Sequence, residues 1–145
     1  MCPGMRKPVS PIPISVRILV VEDVKTWRRF VHSTLANEKQ WNVIAEVADG
    51  LEAVHEAQRL QPDLILLDIG LPGLNGVDAA RRISQVAPKA KIVFVTQNTD
   101  TDVIRAALDT GAQGYVLKAD AAKDLVFAIK AVLRGEKFVS RGLNL

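Results

Sequence analysis

One cysteine, Cys2, leaves the chain without a second thiol for an internal disulfide, which fits a reducing compartment. Long apolar runs are missing too. No stretch approaches the roughly 18 residues of a membrane span, and Pro3, Pro8, Pro11 and Pro13 interrupt the N-terminus where a signal peptide needs an unbroken apolar segment. The default location is the cytoplasm. An excess of one charge sign is also lacking. The formal net charge is +3, and setting aside Arg6 and Lys7 of the Pro-rich start leaves 17 of the 19 basic residues against 16 acidic ones. With no dense Lys/Arg stripe, a pI of about 9.2 makes a weak case for direct nucleic-acid binding.

What is present points to one domain. The 145 residues, 48% apolar, can bury one substantial core. Residues 1–16 are punctuated by proline and read as a flexible arm. From Arg17 onward, short β-branched runs alternate with segments whose apolar residues recur at three and four. Strands are expected at Arg17–Val21, Asn42–Val47, Leu64–Leu67, Lys91–Val95 and Gly114–Leu117. Between them lie helical stripes such as Trp27, Phe30, Val31, Thr34, Leu35 and Ala53, Val54, Ala57, Leu60. Asp49, with Glu52 three residues on, has the spacing of a helix N-cap. Gly111, Gly114 and Gly135 fall where the chain leaves a helix or turns sharply. Strict alternation with right-handed crossovers predicts a doubly wound α/β sheet of flavodoxin-like (βα)5 topology, strand order 2-1-3-4-5.

Carboxylates end two of the apolar runs: Glu22 and Asp23 follow the first, and Asp68 follows Asp63-Leu-Ile-Leu-Leu. In open α/β sheets the ligand crevice lies beyond the carboxyl ends of the strands where winding reverses, here between the first and third strands. Thr96 ends the fourth strand and Lys118 follows the fifth, so polar groups from four strands converge on one rim. Clustered carboxylates need a proton or a cation to offset their repulsion, and an oxygen-rich set suits Mg²⁺. A metal there clamps a phosphoryl oxygen while a neighbouring carboxylate attacks phosphorus, with Lys118 supplying a compact cation and Thr96 a hydroxyl donor. Plainer readings stand beside these. Glu22 and Asp23 would cap the following helix, Asp68 would be a turn residue before Leu71-Pro-Gly, Thr96 an ordinary strand residue, Tyr115 half-buried packing and Lys118 a solvated loop cation. His32 and His55 lie in helices away from the rim, and Trp27 and Trp41 are read as packing.

Four segments in order, Val21-Glu-Asp23, Leu67-Asp-Ile-Gly-Leu-Pro-Gly-Leu-Asn-Gly76, Val93-Phe-Val-Thr96 and Gly111-Ala-Gln-Gly-Tyr-Val-Leu-Lys118, resemble the successive motifs of response-regulator receiver domains. Gly114 to Lys118 and the closing Arg134-Gly-Glu-Lys-Phe-Val-Ser are similar to the NarL/FixJ/LuxR-type subgroup. The resemblance covers residues 17–139 and makes 140–145 the start of a linker to a C-terminal helix-turn-helix domain absent from this chain. It implies a signalling switch of a two-component system rather than an enzyme. Asp68 would accept a phosphoryl group from a sensor histidine kinase. Mg²⁺ would be held by Asp23, Asp68 and the Gly70 backbone carbonyl, with Glu22 acting through water. Thr96 and Lys118 would bind the phosphoryl group, and Tyr115 would follow Thr96 by turning inward. The changed surface of the fourth helix and fifth strand would then control an output, with homodimerisation on phosphorylation and DNA contacted only through the absent domain. The chain departs from the family pattern at Gly70, Gln97 and Ala119. Gly70 opens access to Asp68, Gln97 narrows it, and Ala119 removes the proline that usually accompanies a cis peptide after the lysine. Two alternatives remain: a receiver-shaped interaction module that signals without phosphate, and an aspartate-dependent phosphatase of similar fold.

Overall fold

The alternation of apolar runs and helical stripes is realised element by element in a computed structural model, which describes residues 15–141 and 143. In chain order the elements are β1 (Val16–Val21), α1 (Lys25–Leu35), β2 (Trp41–Val47), α2 (Gly50–Leu60), β3 (Leu64–Leu67), α3 (Gly76–Val86), β4 (Lys91–Thr96), α4 (Thr101–Asp109), β5 (Gly114–Leu117), α5 (Ala121–Leu133) and β6 (Phe138–Val139). A 3₁₀ turn over Lys118–Asp120 joins β5 to α5. Residues 1–14 of the expected N-terminal arm, and part of the expected linker, lie outside the described residues. Val16 opens β1 and is fully buried, so the strand begins one residue inside the segment read as an arm.

All strand pairs are parallel, in the order β2-β1-β3-β4-β5-β6. The five predicted strands take their predicted places. The sixth is an addition: Phe138 and Val139 pair with Gly114 and Tyr115 at the outer edge. Two residues after the Gly135 turn carry too short a pattern to read as a strand.

Period-two alternation divides the core into two layers. On one face Leu19, Val21, Ile65, Leu67, Phe94 and Tyr115 meet α2, α3 and α4 through Ala53, Ala57, Ala80, Ile83, Ile104 and Ala107. On the other, Ile18, Val20, Leu64, Leu66, Val93, Val95 and Val116 meet α1 and α5 through Val31, Leu35, Leu125, Ile129 and Val132. Both faces of Ile18–Val21 in β1, of β3 and of Ile92–Val95 in β4 are therefore dry, which is why these runs are apolar at every position rather than alternating.

Local chemistry fixes the element ends. The Asp49 side chain accepts from Glu52 N–H at 2.8 Å, the predicted N-cap. Gly111 and Gly135 adopt φ of +94° and +88°, the conformation expected where helices end. Gly114 plays a different part from the one expected: it opens β5 against the Val93 side chain, at a close approach rather than a turn. Gly76 also needs its missing side chain, since a Cβ there would overlap the Asp68 carbonyl oxygen and the Ile69 backbone. Its own N–H donates to the Ile69 carbonyl at 2.8 Å, tying the start of α3 to the loop after β3.

Gly76→Ala should therefore cost about 2 kcal/mol by forcing backbone apart. Gly111→Ala, with open space but a left-handed φ, should cost about 1 kcal/mol. Urea unfolding of both variants checks the ranking; an equal or smaller loss for Gly76→Ala would refute the close-contact account.

Candidate functional site

Register brings the acids together. Val21 pairs with Leu67 across β1 and β3, so the next residues, Glu22 and Asp68, stand side by side where the strands end. Asp68 N–H donates to the Val21 carbonyl at 3.1 Å, keeping the two chains in step to that point. Val21, Leu67 and Leu117 all face the α2–α4 layer, so alternation turns Glu22, Asp68 and Lys118 toward the α1 side. Lys118 leaves β5, two strands away from β3. Its stem reaches back across β4 to bring Nζ to 2.9 Å from Glu22 Oε1 and 3.1 Å from Asp68 Oδ2.

All three charged groups of this bridge are buried. Asp23 is exposed at the mouth, and carboxylate oxygens of Glu22, Asp23 and Asp68 lie within 4.8 Å of one another. The predicted acidic cluster thus forms. Asp68, Asp23, Gly70, Thr96 and Lys118 line a common cleft of about 400 Å³, with Glu22 beside it through Lys118. Gly70 has no atom within 4 Å of where a Cβ would stand, and Gln97 is exposed on the same cleft. Peptide bonds among the described residues are all trans, including Lys118–Ala119.

Hydrogen bonds hold the acids in place. Val24 N–H donates to Glu22 Oε2 at 3.0 Å, and Ile69 N–H to Asp68 Oδ1 at 2.7 Å. Thus Glu22 does meet the start of α1, as the plainer reading had it, while its other oxygen serves the cluster. The Arg28 guanidinium donates to the Glu22 carbonyl at 2.7 Å and approaches Glu46 at 3.9 Å, fastening α1 to the end of β1. Thr96 is buried, and its Oγ1 accepts from Asn98 N–H at 3.2 Å. Tyr115 is fully buried, with its hydroxyl donating to the Asn98 carbonyl at 2.8 Å. The ring expected to turn inward on phosphorylation therefore already points inward.

Two residues not singled out in the sequence, Arg28 and Asn98, belong to the site, and so does Trp27, read there as packing, whose ring centroid lies 5.0 Å from Lys118 Nζ. Trp27 was legible in principle, because it stands four residues past Asp23 in the first turn of α1 and so overhangs the rim. His32 and His55 are exposed and remote from the cleft, as expected.

Burial and charge together set the titration directions. Burial pushes the Glu22 carboxyl above its usual range, and the neighbouring Asp68 charge adds to this; hydrogen bonds from Lys118 and Val24 act against both. Burial pulls the Lys118 ammonium down, yet its hydrogen bond to Glu22 and the charge of Asp68 outweigh that, leaving it above its usual value. The Tyr115 hydroxyl is pushed up by burial and then by the charges of Asp68 and Asp100. One lysine against three carboxylates leaves an excess of negative charge on hard oxygen donors. Such a donor set fits Mg²⁺ in chemistry and in spacing.

A family profile described as the response regulator receiver domain matches residues 18–130. The chain is 35% identical over 124 residues to the transcriptional regulatory protein DegU of Brevibacillus brevis, covering 86% of this chain and 52% of that protein. It is 33% identical over 123 residues to the response regulator protein VraR of Staphylococcus aureus, covering 85% and 59% respectively. The chain thus spans little more than half the length of these curated relatives. A crystal structure of a LuxR-family two-component response regulator from Aurantimonas sp. SI85-9A1 superposes with a TM-score of 0.84 at 32% identity, covering 89% of this chain and 92% of that one.

The raised Glu22 and Lys118 values carry a definite sign. Each group supports the fold below its usual range and loses that contribution as pH rises through its folded value, Glu22 first and Lys118 on the alkaline side. A ¹³C titration of the Glu22 carboxyl should show a midpoint above that of an exposed glutamate. Lys118→Met should raise it further, because burial and the Asp68 charge remain while the opposing hydrogen bond is gone. A midpoint unmoved by Lys118→Met would contradict this account of the bridge.

Proposed function

Because the chain belongs to the response-regulator receiver family, in its NarL/LuxR-type subgroup, we propose that Asp68 accepts a phosphoryl group from the phosphohistidine of a sensor histidine kinase. The observation that carries the reading is the meeting of Asp68 with Glu22, Asp23 and Lys118 at the ends of three strands, in a cleft open at Gly70. Asp68 Oδ attacks phosphorus in line, the P–N bond breaks with its electron pair going to the imidazole nitrogen, and an acyl phosphate remains on the protein. Mg²⁺, when bound, offsets charge on the acids and on the transferred oxygens. Asp23 and Asp68, with the Gly70 carbonyl, would hold it directly, and Glu22 would act through water. Lys118 exchanges a carboxylate oxygen of Asp68 for a phosphoryl oxygen, and the Thr96 hydroxyl, which accepts from Asn98 N–H, donates its proton to the same group. No external substrate is turned over, so the chain acts as a switch that modifies itself rather than as an enzyme.

The signal leaves through the segment from Thr96 to Tyr115. Thr96, Asn98 and Tyr115 form one hydrogen-bonded chain at the start of α4, so a new partner for Thr96 alters the α4–β5 surface. The output is transcription, through a DNA-binding domain beyond this chain, with homodimerisation on phosphorylation as the intermediate step, in the cytoplasm. The relatives' names support this output, since DegU is a transcriptional regulatory protein. No helix among the described residues is long and apolar enough to cross a membrane. A second reading, an interaction module that works without phosphate, is favoured by one observation: Tyr115 already occupies its inward place.

Incubation with Mg²⁺ and acetyl phosphate should add one phosphoryl mass, abolished by Asp68→Asn and by chelation of the metal. Absence of that gain, together with partner binding unchanged in Asp68→Asn, would replace the phosphoacceptor reading with the second one.

A further inference from the structure

Lys118 Nζ has three partners within the cleft: Glu22 Oε1, Asp68 Oδ2 and the indole of Trp27. Two of them are carboxylates of the acidic set, and both change their bonding if a cation and a phosphoryl group arrive. The third does not. Trp27 stands in the first turn of α1, where Trp27 N–H and Arg28 N–H both donate to the Val24 carbonyl, and Phe30 meets its ring edge-on at 5.3 Å and 79°. The indole is thus braced from its own helix and presents its surface to a buried ammonium, the setting in which attraction to the ring quadrupole is strongest.

We infer that Trp27 is a positioning residue for phosphoryl capture: its indole holds the Lys118 ammonium in the cleft while Lys118 changes partners from the carboxylates to the transferred oxygen. This deepens, and rests on, the reading of Asp68 as phosphoacceptor. An unanchored lysine on a four-carbon stem would otherwise sample the open side of the cleft at Gly70 whenever Glu22 releases it. Trp27 also belongs to the apolar layer under α1, and an aliphatic residue would serve that packing role alone. The two roles differ in what they depend on. Packing follows the volume of the ring, whereas holding a cation follows its electron density.

The test uses the whole chain with Trp41→Phe, which leaves Trp27 as its sole tryptophan. Trp27 is replaced by 5-fluorotryptophan and by 4,5,6,7-tetrafluorotryptophan, which withdraw ring electron density at nearly constant shape. With saturating Mg²⁺, the rate of phosphorylation by acetyl phosphate should fall stepwise, roughly three- to tenfold over the series, while the thermal midpoint stays level. A second readout needs neither donor nor metal. The ε-methylene proton signal of Lys118, assigned by its loss in Lys118→Arg, should lie upfield of the other lysines and return downfield in Trp27→Leu. A flat rate series in protein that captures phosphoryl normally, or a Lys118 signal indifferent to Trp27→Leu, overturns the positioning role and leaves the proposed function standing. If the Trp27 protein captures no phosphoryl group while the Lys118 signal is shifted as described, the proposed function falls, and the inference with it.

Discussion

A single buried ammonium holds the working end of this sheet together. Lys118 Nζ lies about equally close to Glu22 and Asp68, so one cation offsets part of the repulsion between two acids that strand register forces to be neighbours. Burying a bridge of this kind is costly, and its presence is weak evidence for stability as such. Its significance is chemical. Burial pushes the Glu22 carboxyl up and the Lys118 ammonium opposes that rise, while the arrangement still sets three carboxyl groups against one cation and so invites a second. A bridge that was fully neutral would have no such appetite.

The fold supplies this end of the sheet by a simple rule of parity. Each strand that contributes to the cleft ends its apolar run on a residue whose face is set by the core, and the next residue must point the other way. Val21, Leu67 and Leu117 belong to the α2–α4 layer, so Glu22, Asp68 and Lys118 emerge toward α1. Val95 belongs to the α1–α5 layer, so Thr96 emerges on the opposite side, beside Tyr115 and α4. The acidic bridge and the Thr96–Asn98–Tyr115 chain thereby leave their strands on opposite sides, while Asp68, Lys118, Thr96 and Asn98 still line one cleft beyond the strand ends. An insertion of one residue at the end of any of these strands would reverse that parity.

These same rules explain what was legible in the sequence. Apolar runs of four residues identified β1, β3 and β4, because burial on both faces leaves an unambiguous pattern, and the acids that follow the first two identified the site. Asp49 was readable as a cap because its chemistry is local. Less accessible were features set by distance through space. The pairing of Lys118 with Glu22 as well as with Asp68 depends on how far a stem reaches across β4, and Trp27 read as packing because a helical stripe does not show which ring overhangs a rim. β6 was missed for a third reason: two residues carry no period, and Phe138 and Val139 are held by pairing with β5 rather than by a pattern of their own.

The position of Tyr115 constrains how such a switch would work. Its ring is fully buried beside Phe94, at a centroid distance of 6.0 Å, and its hydroxyl is satisfied by the Asn98 carbonyl. Moving it outward would leave a void in the layer under α4 and break that bond, so the inward rotamer is favoured by packing before any phosphoryl group arrives. A modification shifts an equilibrium only by the difference in its interaction with the two states. With the ring already inward, that difference must come chiefly from the Thr96 hydroxyl, which accepts from Asn98 N–H and can donate its own proton to a phosphoryl oxygen, so that a shift of Thr96 carries Asn98 with it. On the receiver reading, then, the displacement that carries the signal belongs to the loop between β4 and α4, and Tyr115 acts as the stop against which that loop closes.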